Sequence, residues 1–346
     1  MSEPLAAPSK PDARASGALA AAGSADVVSD VLRSVRLTGA VYFDFELSSP
    51  WVAEAPPARQ IPASVMPGAQ RVIQYHLVAR GECWGNLVGE KPFRLSAGDL
   101  ILFPQGDPHV LSSEPGLRAE PDLSLFVQRP TPLPLVYERG GGGEDRARIV
   151  CCFLGCDERP FNPLLAALPR MIHLSGAGDE ATSGWLATLL RIAIGESSTT
   201  RAGRDNILER LSELMFVEAI RRYIETLPAA ETGWLAGLRD PVAGHALAAL
   251  HAEPAEAWTV ERLARAVGVS RSVLADRFTE MVGQPPMQYL ALWRMQRASR
   301  LLLDGDSVAE AAAVVGYESD AAFSRAFKKL VGEAPGTWRR ANLARS

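Results

Sequence analysis

The stretch TVERLARAVGVSRSVLADRF (Thr259–Phe278) decides the fold of its end of the chain, and SVAEAAAVVGYESDAAFSRAF (Ser307–Phe327) repeats its pattern about fifty residues further on. Each opens with a short helical segment carrying a small residue in mid-face, Ala264 or Ala312, where a second helix must approach closely. A glycine follows, Gly268 or Gly316, and supplies the positive φ that ends the helix. Ser270 or Ser319 then stands where it caps the next helix. That helix offers an apolar i, i+4 pair to a shared core, Leu274/Phe278 or Phe323/Phe327. A helix pair of this kind is built to lay its second helix in a DNA major groove. The repetition, more than either copy, carries the reading.

Between the copies lies GQPPMQYLALWRMQRASRLLLDGD (Gly283–Asp306). Pro285 and Pro286 suit a helix start, Leu290, Trp293, Ala298, Leu301 and Leu302 recur at helical spacing, and Gly305 stops the run. A stiff connector of about 25 Å is therefore expected to fix the separation of the two reading helices. Successive major grooves on one face of B-DNA lie about 34 Å apart, a compatible scale. On SRSVLADRF, GQPPMQYL and GYESDAAFSRAFKKLVGEAPGTWRR, the segment from Asp240 to Arg340 resembles the DNA-binding domain of AraC/XylS-family transcription regulators. The resemblance covers under a third of the chain.

Charge is divided along the sequence. From Trp258 to Ser346 thirteen Lys and Arg face nine Asp and Glu, a local charge of +4, although the whole chain of 346 residues carries −4. A mildly basic module joined to an acidic one fits a DNA-binding unit attached to a domain that need not touch DNA. The apolar content of 47% is enough for a core in each. No run approaches the roughly 18 apolar residues of a membrane-spanning helix. The first 25 residues, rich in Ala, Ser and Pro, read as a disordered leader, and a cytoplasmic protein is expected.

The expected fold class is α+β. A β-barrel domain over 26–160 is followed by a helical dimerisation and linker region over 161–235. An all-α domain with two helix–turn–helix motifs then spans 240–341. The first part rests on short apolar runs punctuated by Gly and Pro, among them GAVYFDFEL, RVIQYHLVARG and RARIVCCFLGC, as in a small barrel or sandwich. The second rests on DNILERLSELMFVEAIRRYIETL, where Ile207, Leu208, Leu211, Leu214, Met215, Ala219, Ile220 and Ile224 form one stripe. That stripe packs on the protein's own barrel or pairs with its twin in a homodimer.

The barrel segment carries a second pattern. Gly68, Gln74, His76, Glu82 and Gly89 follow the metal-cupin motif G-x5-H-x-H-x3,4-E-x6-G, with Gln for the first His and Glu82 one residue late. Gly98, Pro104, Gly106 and His109 follow the second cupin motif, with Ser113 where Asn is usual. Gln74 and His76 lie two apart on a strand and so share one face. The region resembles the cupin-type sensor domain of one branch of the AraC family. Three readings of Gln74, His76, Glu82 and His109 stay open: ligands to a divalent transition metal (Zn, Fe or Ni), a polar lining for an organic effector, or structural histidines. Cys83, Cys151, Cys152 and Cys156 are small buried hydrophobes, sensors of an oxidant or electrophile, or a source of a soft ligand beside the histidines.

In the reading helices, Arg271, Ser272, Ala275 and Asp276 project opposite Leu274 and Phe278, and Asp320, Ala321, Ser324 and Arg325 do so in the second copy. Arg325 is the candidate for a bidentate guanine contact, and Lys328, Lys329, Arg339 and Arg340 are candidates for phosphate. Asp276 stands where the family more often has a basic residue; it reads a cytosine amino group, or points away and leaves the first motif the weaker reader. No nucleophile triad, P-loop or Rossmann fingerprint is present, and no enzymatic activity is expected. The expectation is a sequence-specific regulator, an activator of promoter DNA working with RNA polymerase, whose cupin domain receives a small molecule, metal or oxidant. The alternative is a metal-dependent cupin enzyme fused to a DNA-binding module.

Overall fold

The computed structural model describes residues 26–343, except 36, 62, 127–132, 158–159, 177–187, 190, 197–198, 200 and 229–230. The leader expected over residues 1–25 lies outside the described residues. The first described element is a helix, α1 (Val27–Ser34), capped by Asp26, whose side chain accepts from the Ser29 amide.

Ten strands follow: β1 (Leu37–Ser48), β2 (Val52–Ala55), β3 (Arg71–Arg80), β4 (Glu82–Leu87), β5 (Phe93–Ser96), β6 (Leu100–Phe103), β7 (His109–Ser112), β8 (Leu135–Gly140), β9 (Arg146–Cys156) and β10 (Ile172–Leu174). They form a six-stranded sheet in the order β10-β6-β3-β9-β1-β8 and a four-stranded sheet in the order β2-β7-β4-β5. All pairings are antiparallel except β1 with β8. The larger sheet is buried on both faces, and the alternation of its strands shows why. In β3 and β9, Ile73, Tyr75, Cys152 and Leu154 face helices, whereas Val78, Ile149, Cys151 and Phe153 face the space between the sheets.

A short helix α2 (Pro163–Ala167) and the long α3 (Arg204–Thr226) cover the outer face. The approach of α3 is close. A Cβ added at Gly39 on β1 would stand 2.7 Å from the Glu209 carbonyl oxygen and from Ser212 Cβ. Tyr75 donates from its hydroxyl to the Ser212 carbonyl at 2.9 Å, pinning the helix to the sheet. Leu208, Leu211, Met215, Ala219 and Ile220 are buried in this contact. Ile207 and Leu214 remain exposed at 43% and 48%.

After α3 come α4 (Trp234–Gly237), α5 (Ala243–Ala252), α6 (Val260–Val267), α7 (Arg271–Val282), α8 (Pro286–Asp304), α9 (Val308–Val314), α10 (Asp320–Val331) and α11 (Pro335–Leu343). Local chemistry sets their limits. Thr259, Ser270, Ser307 and Ser319 cap α6, α7, α9 and α10, and Ser307 forms a capping box with Glu310. Pro286 opens α8 and Gly305 closes it, so its 19 residues rise about 28 Å. The pairs α6/α7 and α9/α10 are the two helix–turn–helix units, with Ala264 and Ala312 buried where their helices cross.

Candidate functional site

A cavity of about 490 Å³ lies between the two sheets. Its walls are Phe43, Phe45 and Leu47 of β1, Trp51 and β2, Leu111 of β7, Phe126, and Ile149, Cys151 and Phe153 of β9. Gln74, His76 and His109 form its polar end, and Glu54, Glu120, Asp122 and Arg139 also line it. The aromatic wall is continuous, with Phe43 edge-on to Phe126 and Phe153 at centroid distances of 5.5 and 6.2 Å. The charges of Glu54 and Asp122 are already matched. Arg118 holds Glu54 through two 2.7 Å hydrogen bonds and keeps its carboxyl below the usual range, and Arg139 pairs with Asp122 at 3.3 Å.

The two histidines bond directly, Nε2 to Nε2 at 2.6 Å. Burial pushes His76 well below the ordinary imidazole value and His109 down to about 4, so both rings are neutral at pH 7. Their tautomers follow from one contact. His109 Nδ1 lies 2.9 Å from the Asp107 carbonyl oxygen, which only accepts, so Nδ1 carries the proton and Nε2 is bare. His76 Nε2 must then donate, which leaves His76 Nδ1 as an acceptor, buried and without a partner among the described residues. His109 is held flat against Phe103, ring centroids 3.6 Å apart. The Gln74 amide donates to the Pro56 carbonyl at 3.3 Å.

Glu82 is not brought to this cluster. It is ion-paired with Arg94, across the β4–β5 pairing, and its side chain is about half exposed. Among the described residues no three His, Cys, Asp or Glu side chains converge as a metal site requires. Two imidazoles in mutual contact, with the family's carboxylate ligand engaged elsewhere, do not fit a resident metal ion.

All four cysteines are buried and none is in a disulfide. Burial pushes Cys83 and Cys152 up to about 12 and Cys151 well above its usual value. Cys151 lines the cavity, opposite His76 in the β3–β9 register; Cys152 and Cys156 pack in the core toward the helices, and Cys83 packs between the sheets. None is exposed, and Cys83, Cys151 and Cys152 lack the low pKa of a reactive thiolate.

On the other domain, Arg271, Ser272, Asp276, Asp320, Ala321, Arg325, Lys328 and Lys329 are exposed, while Ala275 and Ser324 are half-buried. Arg271 is ion-paired with Glu261 at 2.9 Å. Arg339 is engaged elsewhere, donating to the carbonyls of Gly305 and Asp306 at the end of α8. Val273, absent from the sequence-based set, is 49% exposed on α7; its place directly before buried Leu274 was the available signal. The aromatic cavity wall was also missed. Its residues come from segments that meet only through strand pairing, although the alternation Phe43, Phe45, Leu47 already marked one wall. No described helix is long and apolar enough to cross a membrane.

A cupin family model matches residues 26–225 and a helix–turn–helix domain model matches residues 263–341. A protein of Streptomyces lividans described as an AraC-like transcription regulator is 36% identical over 276 residues, 79% of this chain and 88% of its own. The HTH-type transcriptional regulator AlkR of Acinetobacter baylyi is 30% identical over 272 residues, 78% of this chain and 89% of its own. The solved DNA-binding domain of AdpA, in complex with a target DNA, matches 31% of this chain and 96% of its own at 34% identity and a TM-score of 0.29.

Proposed function

This chain belongs to the AraC-like DNA-binding transcription regulators, with a cupin domain ahead of its helix–turn–helix domain, and from that premise we propose that it is an effector-controlled activator. The observation that carries the proposal is the 490 Å³ cavity, apolar along its walls and ending in a neutral histidine pair. Its occupant is a mostly apolar small molecule with one hydrogen-bond donor, for which His76 Nδ1 is the free acceptor. Among the described residues a metal ion lacks a ligand set there, and the four cysteines offer an oxidant no exposed thiol. The same shortage of ligands counts against a metal-dependent enzyme.

The regulator acts in the cytoplasm, as a homodimer through the exposed Ile207 and Leu214 of α3, and engages RNA polymerase from promoter DNA. Arg325 reads a guanine edge, with Arg271, Ser272, Ala275, Asp276, Asp320, Ala321 and Ser324 on the same two reading faces. Lys328 and Lys329 hold phosphates. The effector works only by favouring one arrangement of the domains over another.

The test pairs two measurements. Selection from random duplexes should recover one consensus with two half-sites about one helical turn apart. His109→Phe, which keeps the ring on Phe103 and breaks the hydrogen-bond chain, should recover the same consensus while promoter output in the native host stops responding to growth conditions. Recovery of no consensus would sink the regulator reading, and an intact response in His109→Phe would sink the effector site.

A further inference from the structure

A second, smaller cavity of about 220 Å³ lies at the joint between the two halves of the molecule. It is lined by Asp30, Arg33 and Ser34 of α1, on the barrel side, and by Trp293, Arg297, Arg300 and Leu301 of α8, the connector between the reading units. Every wall residue comes from one of these two helices, so the cavity exists only while they are docked. A buried glutamine specifies that docking. Gln296 donates to the Ser34 carbonyl at 2.8 Å and accepts from the Phe161 amide at 3.0 Å.

The joint holds more donors than acceptors. Trp293 is 1% exposed, and its indole N–H is buried with no partner among the described residues. His251 stacks on that indole, centroids 4.1 Å apart, and its Nδ1 is orphaned too. Its tautomer is fixed by a relay. Trp234 Nε1 donates to the Tyr289 hydroxyl at 3.0 Å, and that hydroxyl donates to His251 Nε2 at 2.7 Å, so Nδ1 carries the proton. The nearest carboxylate oxygen, on Asp30, is 3.8 Å away, beyond hydrogen-bond reach.

Around these buried N–H groups stand three guanidiniums. Arg33 is paired with Asp30 at 2.5 Å and Arg300 with Asp304 at 3.1 Å. Arg297 makes no ion pair with a described residue, and its charge reaches far enough to help depress His251. A buried donor without an acceptor, beside an uncompensated cation in a cavity of this size, is the arrangement that takes a small oxyanion.

We propose that the cavity between α1 and α8 is a binding site for a small oxyanion, carboxylate or phosphate, held by Arg297 and the Trp293 indole N–H. Occupancy favours the docked arrangement of α1 and α8, because Asp30, Arg33 and Ser34 of α1 close the cavity that Arg297 and Trp293 of α8 line. The site is separate from the barrel cavity and shares no residue with it.

The test is calorimetric titration of the full-length protein with inorganic phosphate and, in a second arm, with succinate. At least one anion should bind saturably at one site per chain and slow hydrogen exchange in α1. Arg297→Gln should abolish this binding. Trp293→Phe, which keeps a ring on His251 and removes only the donor, should weaken it by roughly tenfold. The stronger arm identifies the anion class. Absence of saturable binding in both arms, or binding that Arg297→Gln leaves unchanged, overturns the proposal. Either result leaves the His109→Phe test of the barrel cavity untouched.

Discussion

The two helix–turn–helix units share a sequence pattern but belong to different cores. In the first, Leu263, Ala264, Leu274, Phe278, Tyr289 and Trp293 join a cluster that runs on through α5, α1 and α3 into the outer face of the six-stranded sheet. In the second, Met295, Ala298, Leu302, Ala311, Ala312, Val315, Phe323, Phe327 and Trp338 form a cluster of their own. The boundary falls inside α8, which gives its N-terminal half to one core and its C-terminal half to the other. Packing thus joins the outer face of the sheet to the first unit, whereas the second meets the rest of the molecule through α8, the Gln70–Asn342 hydrogen bond at 3.3 Å and the close approach of Ala255 to Gly316.

The sharpest way to break this contrast is to empty each core. Phe327→Ala and Phe278→Ala each remove a fully buried ring and should each cost about 3–5 kcal/mol. Their calorimetric signatures should differ. Phe327→Ala should split off an early, small transition and leave the main one in place, whereas Phe278→Ala should lower the main transition itself. If both variants move a single common transition, the cores are coupled and the contrast fails.

A smaller effect separates the units as readers. Arg271 in the first is tied to Glu261 and followed by the acidic Asp276, whereas Arg325 in the second makes no ion pair with a described residue. Arg325→Ala is expected to lose about 1–3 kcal/mol of discrimination at one base pair, and Arg271→Ala measurably less. Lys329→Ala should weaken binding to all sequences alike and lower the salt slope by about 1. Competition binding against a panel of single-base variants at two salt concentrations reads all three. Equal losses at Arg271 and Arg325 would erase the distinction between the readers.

The difference between the units also marks what could be read from sequence. Caps, stops and i, i+4 pairs are local chemistry, so Ser270, Ser319, Gly268 and Gly305 stand where the pattern put them. The alternation of β3 likewise put Gln74 and His76 on the cavity side. Long-range pairing was not legible. Motif spacing drew Glu82 into the histidine cluster, but the β4–β5 register brings Arg94 to it instead. Nor could any periodicity reveal that Gln296 would bond to Ser34, 262 residues away.

The smallest effect is a pH dependence that the second unit should lack. Every histidine lies at or before His251, so none belongs to the separate core around Phe323 and Phe327. Burial first, then the Arg297 charge, pushes His251 down to about 3. The folded protein therefore stays unprotonated at this site while the unfolded chain takes up a proton below pH 6.5. The resulting stability is fully present above that value and is lost as pH falls toward 3. Between pH 7.5 and 5.5 the loss from His251 should be roughly 1 kcal/mol, with similar contributions from His109, whose folded value is about 4, and from His76, which burial holds well below the ordinary imidazole value. Denaturant unfolding at the two pH values measures the sum, and His251→Gln should remove its share of the slope. In the Phe327→Ala background, the early transition of the second unit should hold its midpoint over the same range. A shift there equal to that of the main transition would mean that the first unit's burial of His251 is felt across α8, and that the rod joins one core rather than dividing two.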